Sequence, residues 1–192
     1  DKFVLFDFGR FCEQVGVEAA FDWRMGYLSK SFFLGGFLKI YAEQIARVSR
    51  ALKGKSKKCI VLDCDNTLWS GVIGEDGIDG IKLDRNSYPG KVFYDFQKSV
   101  LNLFNRGVLV ALCSKNNEED VWEVLSQHPY SLLKKEHLSA YRINWDDKAQ
   151  SIVEIANELN IGLDSLIFVD DSDMECERVS QSLPEVEVLK VP

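Results

Sequence analysis

Four groups of polar residues follow short apolar runs or stand near the start of a helical pattern. Asp63 and Asp65, separated by one residue, come directly after the run 59–62. The other groups are Ser114, Lys148 and the acidic pair Asp170-Asp171. Phosphoryl transfer needs a nucleophile in line with phosphorus, a proton donor for the leaving oxygen, and positive charge around the phosphoryl oxygens. Because carboxylates, a hydroxyl and an ammonium group can supply all three, the set predicts phosphoryl-transfer chemistry.

The carboxylates divide into a nucleophile, an acid/base and metal ligands. Asp63 can attack as a carboxylate and form an aspartyl-phosphate. Asp65 can act as the general acid and then as the base. Mg²⁺ takes oxygen ligands, so we expect Mg²⁺ to be the cofactor. Its ligands would be Asp63, the backbone carbonyl of Asp65, and Asp170, with Asp171 as the alternate or supporting carboxylate.

The remaining groups are predicted to bind phosphate. Ser114 and Lys148 would hold the phosphoryl oxygens, and Lys148 would also offset the negative charge of the carboxylates. We place Thr67, Lys115 and Asn116 in the same phosphate-binding set.

Each group also has an ordinary structural explanation. An aspartate after an apolar strand is often a turn residue or a helix cap, and for the segment 63–67 alone the two explanations weigh about equally. Ser114 alone would more often be a cap, Lys148 alone a solvated lysine, and Asp170-Asp171 alone a capping pair. The order and the placement of all four groups together favour the functional explanation.

The elements that must position these residues alternate from residue 59 onward. Apolar runs predict strands over 59–62, 108–112 and 166–169, and more weakly over 138–143 and 186–189. Helical spacing of apolar residues predicts helices over 92–103, 121–125 and 152–159, and a fourth after Asp171. Alternating strands and helices imply a doubly wound α/β fold, with a parallel sheet covered on both faces. In such sheets the ligand site lies beyond the carboxyl ends of the strands.

The chain divides into an N-terminal, mainly helical segment over 1–57 and an α/β domain over 58–192. Within the first segment we predict a strand over 3–8, a break at Gly35-Gly36, and a helix over 38–52 that ends at Gly54. Lysines 53, 55, 57 and 58 predict a solvated linker. In the domain, the glycines of 70–90 indicate a small, hairpin-like flap, because this segment is too short for a large cap domain.

The composition excludes several classes of protein. A net charge of −7 and a pI near 5.0 argue against general binding to nucleic acid or to an anionic membrane. Five cysteines, an odd number without C-x-x-C spacing, favour neither a disulfide framework nor a zinc site, so we expect a reducing cytoplasm. No apolar run approaches the ~20 residues of a membrane span. Because the chain begins at Asp1, we expect a piece of a longer protein.

The segments that carry these residues resemble known enzymes. V-L-D-C-D-N-T-L-W at 61–69 resembles the first motif of the haloacid dehalogenase (HAD) superfamily. The longer segment 58–83 is similar to the FkbH-like family within it, as are L-C-S-K-N-N at 112–117, I-N-W-D-D-K at 143–148 and F-V-D-D-S at 168–172. The chain departs from that family's pattern at Ser70, Asp173 and Cys176.

The resemblance implies a specific reaction. FkbH-like proteins dephosphorylate the three-carbon acyl phosphate 1,3-bisphosphoglycerate and load the glyceryl group onto an acyl carrier protein as a thioester, for polyketide-type pathways. Carried over, Asp63 is the nucleophile, Asp65 the acid/base, and Asp170 a metal ligand, while Ser114 and Lys148 bind phosphate. Some members pass the acyl group through a cysteine, and Cys64 and then Cys113 are the candidates, although both also suit a buried core.

Other functions stay open at this point. A plain HAD phosphatase acting on a small metabolite or a phosphoprotein would use the same Asp63 and Mg²⁺ without a carrier protein. A phospho-accepting receiver module also uses an Asp, a Ser or Thr, a Lys and an acidic pair. In receivers that pair precedes the phosphorylated aspartate, whereas Asp170-Asp171 follows Asp63 here. A scaffold with an inactive site is disfavoured, because no essential residue is missing.

Overall fold

The chain folds into two compact units in a computed structural model that describes residues 6–52 and 56–191. The first unit ends at Ser56 and the second begins at Lys57. No helix within the described ranges is long and apolar enough to cross a membrane.

Helices make up the first unit, around a small aromatic core. Their bounds are α1 Phe8–Val15, α2 Val17–Ala20, α3 Trp23–Ser29 and α4 Gly35–Leu52. Asp7 caps α1, since its side chain accepts the backbone N–H of Arg10 at 2.9 Å. Phe37 is buried in this core, and the Phe33 ring stacks on it with centroids 5.5 Å apart.

Two of the predictions for the first unit are wrong. Of the strand predicted over 3–8, residues 3–5 lie outside the described part of the chain, while Phe6 is in no strand and Phe8 begins α1. Gly35-Gly36 begins α4 instead of breaking the chain. Glycine can adopt the helical backbone there, at an entropic cost of roughly 0.5–1 kcal/mol relative to alanine. The predicted end of the helix at Gly54 lies outside the described residues.

The predicted lysine linker is only partly described. Lys53 and Lys55 lie outside the described residues, but Lys57 and Lys58 belong to the second unit. The backbone N–H of Lys58 donates to the Ser165 carbonyl at 2.8 Å, and the Lys57 ammonium donates to the Leu166 carbonyl at 3.0 Å. These two lysines therefore lead directly into the sheet.

In the described part of the second unit, a parallel sheet of five strands forms the centre. The strands are β1 Cys59–Leu62, β2 Leu109–Ser114, β3 Ala140–Ile143, β4 Leu166–Asp170 and β5 Glu187–Lys190. Their order is β3-β2-β1-β4-β5, with every neighbouring pair parallel. Along the chain, β2 and β3 are added on one side of β1, and β4 and β5 are then added on the other side. This strand order confirms the predicted doubly wound α/β fold.

Helices cover both faces of this sheet. They are α5 Ile73–Gly80, α6 Gly90–Asn105, α7 Glu118–Gln127, α8 Lys148–Glu158 and α9 Asp173–Ser182. Successive side chains of a strand point to opposite faces. Ile60 and Leu62 accordingly lie in one buried apolar cluster, while Cys59 and Val61 lie in another. The four residues of β1 are all buried, so the strand that leads to Asp63 is the centre of the core.

The predicted hairpin-like flap is mainly a helix. Only the two ends of this segment pair as the strands of a hairpin do, because Ser70 and Lys82 exchange backbone hydrogen bonds of 3.1 and 2.8 Å. Between them lies α5, whose first turn is closed by the Asp76 carboxylate accepting the Val72 N–H at 2.8 Å. Gly77 then kinks α5 with a φ of 65°, a value that glycine adopts without steric cost.

A buried glutamine ties the loop after β1 to a loop that follows α7. Gln97 on α6 is 0 % exposed. Its side-chain amide donates to the Leu68 carbonyl at 2.8 Å, and its oxygen accepts the N–H groups of Leu132 and Leu133 at 2.8 and 3.1 Å. Three backbone groups therefore depend on this one side chain.

We predict that Gln97→Met lowers the free energy of unfolding by about 2–5 kcal/mol, because each buried polar group left unpaired costs about 1–3 kcal/mol and the loops can relax in part. Chemical denaturation would measure the change. Gln181→Met is the matched control, since Gln181 is exposed and its side-chain amide donates to Glu177 at the surface, and it should change stability by less than about 0.5 kcal/mol. Equal effects of the two substitutions would contradict this role for Gln97.

Candidate active site

The carboxyl ends of three strands and the start of one helix meet at one point. Asp63 follows β1, Ser114 ends β2, Asp170 ends β4 and Lys148 begins α8. Each of the four is at most 5 % exposed. The backbone N–H of Asp63 donates to the Val169 carbonyl at 3.0 Å, so the ladder between β1 and β4 continues into the site and fixes the backbone of Asp63.

Lys148 bridges two buried carboxylates. Its ammonium donates to Asp63 Oδ1 and to Asp170 Oδ2, both at 2.6 Å. The Ser114 hydroxyl donates to the same Asp63 Oδ1 at 2.9 Å. Asp170 Oδ1 accepts the backbone N–H of Ser172 at 2.8 Å, which aims its other oxygen at Lys148.

Burial and charge set the protonation of this group. Burial raises the pKa of Asp63 to about 6, and the neighbouring Asp170 adds to the rise, against the opposing effect of Lys148. Burial by itself would lower the pKa of Lys148, but the carboxylates of Asp63 and Asp170 outweigh it and raise that pKa above its usual range. Two carboxylates thus share one ammonium group, and the site carries an excess of negative charge.

Three of the predicted metal ligands lie close enough to hold one cation. Among the described residues, carboxylate oxygens of Asp63, Asp170 and Asp171 lie within 4.8 Å of one another. Burial and the charge of Asp170 raise the pKa of Asp171, as expected for carboxylates crowded together without a cation. A donor set made only of oxygens suits Mg²⁺, so these residues fit the expected ion. The carboxylate of Asp65 is not in this group.

Asp65 is held on the other side of the site by neutral donors. Its Oδ1 accepts the Trp69 indole N–H at 2.9 Å and the Ile73 backbone N–H at 3.1 Å. Its Oδ2 accepts the Asn116 amide at 3.0 Å. Asn66, directly after Asp65, adopts a left-handed φ of 51° and turns the chain beyond the second aspartate.

The other predicted phosphate-binding residues differ in placement. Asn116 reaches the site, since its amide also donates to the Ser114 hydroxyl at 3.1 Å. The Lys115 ammonium is bonded to Glu175 at 2.8 Å. Thr67 is 0 % exposed, and its hydroxyl has no hydrogen-bond partner within the described ranges.

Neither candidate cysteine exposes its thiol. Cys64 is 0 % exposed and packs in the apolar cluster that contains Leu68. Cys113 is 1 % exposed and lies in the opposite cluster, with its Sγ 3.8 Å from the Lys148 carbonyl oxygen. Burial raises the pKa of Cys113 to about 12, and burial together with the charge of Asp63 raises that of Cys64 well above its ordinary value.

Sequence reasoning did not assign roles to two residues that contact this group. Trp69 stands four positions after Asp65 and donates its indole N–H to that carboxylate. This spacing after the D-x-D motif is the sequence signal that could have indicated the contact. Glu175 bonds Lys115 across 60 positions, and no sequence spacing indicates this contact.

Comparisons with known proteins find similarity to phosphatases. Residues 58–187 match the model of a family described as NLI interacting factor-like phosphatase. A crystal structure of the N-terminal part of protein BF1531 from Bacteroides fragilis, containing a phosphatase domain and complexed with Mg, is 35 % identical with a TM-score of 0.92. The match covers 96 % of this chain and 49 % of that one, so this chain spans about half of its length. This similarity confirms the predicted HAD-like α/β fold.

A second solved structure is more distant. The HAD family enzyme bt-2542 from Bacteroides thetaiotaomicron, in complex with magnesium and inorganic phosphate, is 17 % identical with a TM-score of 0.48, over 71 % of this chain and 95 % of that one. A comparison with curated proteins finds no match. Because the phosphatase family model covers 58–187, which includes every residue of the candidate site, the chain belongs to the NLI interacting factor-like phosphatase family.

Proposed function

We propose that this phosphatase is Mg²⁺-dependent and works through an aspartyl-phosphate on Asp63. One observation carries the proposal: Asp63 Oδ1 accepts hydrogen bonds from both the Ser114 hydroxyl and the Lys148 ammonium at the end of the central strand. A phosphoryl group joined to this carboxylate would place its oxygens beside the same two donors. Positioned donors of this kind stabilise the charge of the transition state.

The residues then divide the reaction between them. A carboxylate oxygen of Asp63 bonds to phosphorus while the bond from phosphorus to the leaving oxygen breaks, and Asp65 gives that oxygen a proton. Water next attacks phosphorus, Asp65 takes a proton from it, and the bond to Asp63 breaks to release phosphate. Lys148 and Ser114 hold the phosphoryl oxygens in both steps.

The metal ligands we propose are Asp63, Asp170 and the backbone carbonyl of Asp65, with Asp171 as a direct or supporting ligand. Their crowded carboxylates support this assignment, as does the Mg in the Bacteroides fragilis phosphatase structure. When bound, Mg²⁺ adds positive charge next to the phosphoryl oxygens.

For the substrate, we propose the FkbH-like reaction with 1,3-bisphosphoglycerate and an acyl carrier protein. The segments 58–83 and 143–148 support it by resemblance. A thiol must attack the acyl carbon and displace the acyl phosphate, while Asp63 removes a phosphate ester. Since Cys64 and Cys113 are both buried, we favour direct attack by the thiol of the carrier.

A plain phosphatase acting on a small phosphometabolite or a phosphoprotein is the second candidate. The same hydrogen bonds around Asp63 support it equally, because removal of a phosphate ester needs no carrier thiol. A receiver-like module is less well supported, since Asp170 lies on β4, after the phosphorylated position rather than before it.

We predict that Asp63→Asn lowers the rate of phosphate release from 4-nitrophenyl phosphate by at least about 10³-fold, because an amide cannot act as the nucleophile. The variant should still fold, as checked by its thermal unfolding midpoint. Asp164→Asn is the matched control, since Asp164 is exposed in the turn that precedes β4, at the strand end opposite the site. Full activity of Asp63→Asn would eliminate Asp63 as the nucleophile.

The raised pKa of Asp63 predicts how Mg²⁺ affinity depends on pH. Asp63 loses its proton as pH rises through about 6, so the carboxylate is available above that pH and protonated below it. We expect Mg²⁺ affinity to be nearly constant above this pH and to fall by about tenfold per pH unit below it, because protons compete for the ligand. Calorimetric titrations at several pH values would measure it. Asp63→Asn should weaken binding and flatten the profile, and an identical slope in the variant would show that another group titrates.

The loading reaction is tested by intact-protein mass spectrometry. The chain is incubated with Mg²⁺ and 1,3-bisphosphoglycerate generated in place, with and without a holo acyl carrier protein. We expect a glyceryl adduct on the carrier, with a yield that is unchanged by Cys64→Ala. An adduct on the enzyme that disappears in Cys64→Ala would instead establish a cysteine intermediate. Release of phosphate without any adduct would leave the plain phosphatase.

A further inference from the structure

A buried carboxylate beside the site has a single partner. Glu175, in the first turn of α9, is 5 % exposed. Its Oε1 accepts the Lys115 ammonium at 2.8 Å, and its Oε2 is buried with no partner in the part of the chain that the structure describes. Burying a carboxylate is costly unless it is well paired. An ion pair that leaves one buried oxygen unpaired is therefore a weak source of stability and a candidate for a functional role.

The pair lies next to the residues that handle phosphate. Lys115 follows Ser114 directly, and Glu175 stands five positions after Asp170. Because β1 lies between β2 and β4 in the sheet, the pair connects elements on both sides of the strand that leads to Asp63.

The pair also lies on the same face of the sheet as α8. Cys113 packs on this face, with its thiol against the Lys148 carbonyl oxygen at 3.8 Å. The charge of Glu175 reaches the same thiol and contributes to its raised pKa. Because strand side chains alternate between the two faces of a sheet, Lys115, two positions after Cys113, is on the same face.

Lys115 is placed to bind a ligand as well as Glu175. An ammonium group has three N–H donors, and the contact with Glu175 uses one of them. The Lys115 side chain is 30 % exposed, whereas that of Glu175 is 7 % exposed. The buried carboxylate thus fixes a partly exposed cation at the edge of the site. Fixing a long side chain before binding reduces the conformational entropy lost when a ligand binds.

We propose that Lys115, positioned by Glu175, binds a second anionic group of the substrate, a phosphate or a carboxylate carried on the leaving portion. This inference rests on the proposed phosphatase function, because it concerns the same site. The substrates preferred by this site are then molecules with two anionic groups. Lys148 takes the phosphoryl group that reacts, and Lys115 takes the second anion.

A matched pair of substrates tests the proposal. Propane-1,3-diol bisphosphate and propyl phosphate differ by one phosphate group. For Lys115→Met we expect KM for the bisphosphate to rise about 10- to 50-fold, which corresponds to the loss of roughly one hydrogen bond between charged groups. KM for the bisphosphate should rise by a larger factor than KM for propyl phosphate, because only the bisphosphate carries the second anion. Lys98→Met, at an exposed position of α6, is the control and should behave like the wild type.

The positioning role of Glu175 has a separate readout. Glu175→Gln should raise KM for the bisphosphate by about 3- to 10-fold and leave kcat unchanged, because Lys115 keeps its charge but loses its fixed place. If this variant does not fold, Lys115→Met decides the proposal alone. An equal rise of KM for both substrates, or no change for either, would overturn the second-anion site and leave the pair as a structural tie between the β2 loop and α9.

Binding measurements separate this proposal from the phosphatase mechanism. In calorimetry with Mg²⁺, the wild type should bind propane-1,3-bisphosphonate more tightly than propylphosphonate, and Lys115→Met should lose this preference. If the wild type released no phosphate from either ester, the proposed mechanism would fail, while a preference lost in Lys115→Met would still support the second-anion site. No preference in the wild type would refute that site whether or not the enzyme turns over.

Discussion

The bridge from Lys148 to Asp63 and Asp170 is the interaction that the rest of the second unit depends on. The three charged groups are almost completely buried, and carboxylates in such a place are stable only when they are paired. The bridge requires β1 and β4 to be neighbours, so that the two aspartates lie side by side. It also requires α8 to begin at the carboxyl end of the sheet, so that the first residue of the helix can reach between them. The strand order and the start of α8 meet both conditions.

The same bridge leaves a charge imbalance that connects stability with function. One ammonium group neutralises one of the two carboxylates, and Asp171 adds a third acid within the range of a shared cation. Burial is the main cause of the raised pKa values of Asp63 and Asp171, and the negative charge of Asp170 adds to both. A divalent cation would reduce the excess and favour the ionised form of Asp63, which the proposed nucleophilic attack needs. A site that is unfavourable when its carboxylates have no cation is therefore well suited to bind one.

Local patterns in the sequence predicted the strands and the placement of the site. Apolar runs such as 59–62 are buried on both faces, and polar residues at strand ends converge in any parallel sheet. The pattern did not predict the form of the flap, because the Asp76 side chain closes a helical turn where the glycines suggested a hairpin. Nor did it predict that Lys57 and Lys58 lead directly into β1, because their hydrogen bonds to the carbonyl groups of Leu166 and Ser165 involve a distant segment. The contact between Lys115 and Glu175 has the same origin, since it depends on how β2 and α9 pack.

The two aspartates of the D-x-D motif have different environments, and this difference supports their proposed roles. Asp63 is paired with Lys148, so a proton on Asp63 would weaken a buried ion pair. Asp65 is held by an indole, a backbone amide and an asparagine amide. These donors are neutral, whereas the Lys148 ammonium that donates to Asp63 is a cation. This contrast fits the proposed division of roles, in which Asp63, paired with Lys148, attacks phosphorus and Asp65 exchanges a proton with the leaving oxygen and the water. The two aspartates are separated only by Cys64, so these environments differ within three positions of the chain.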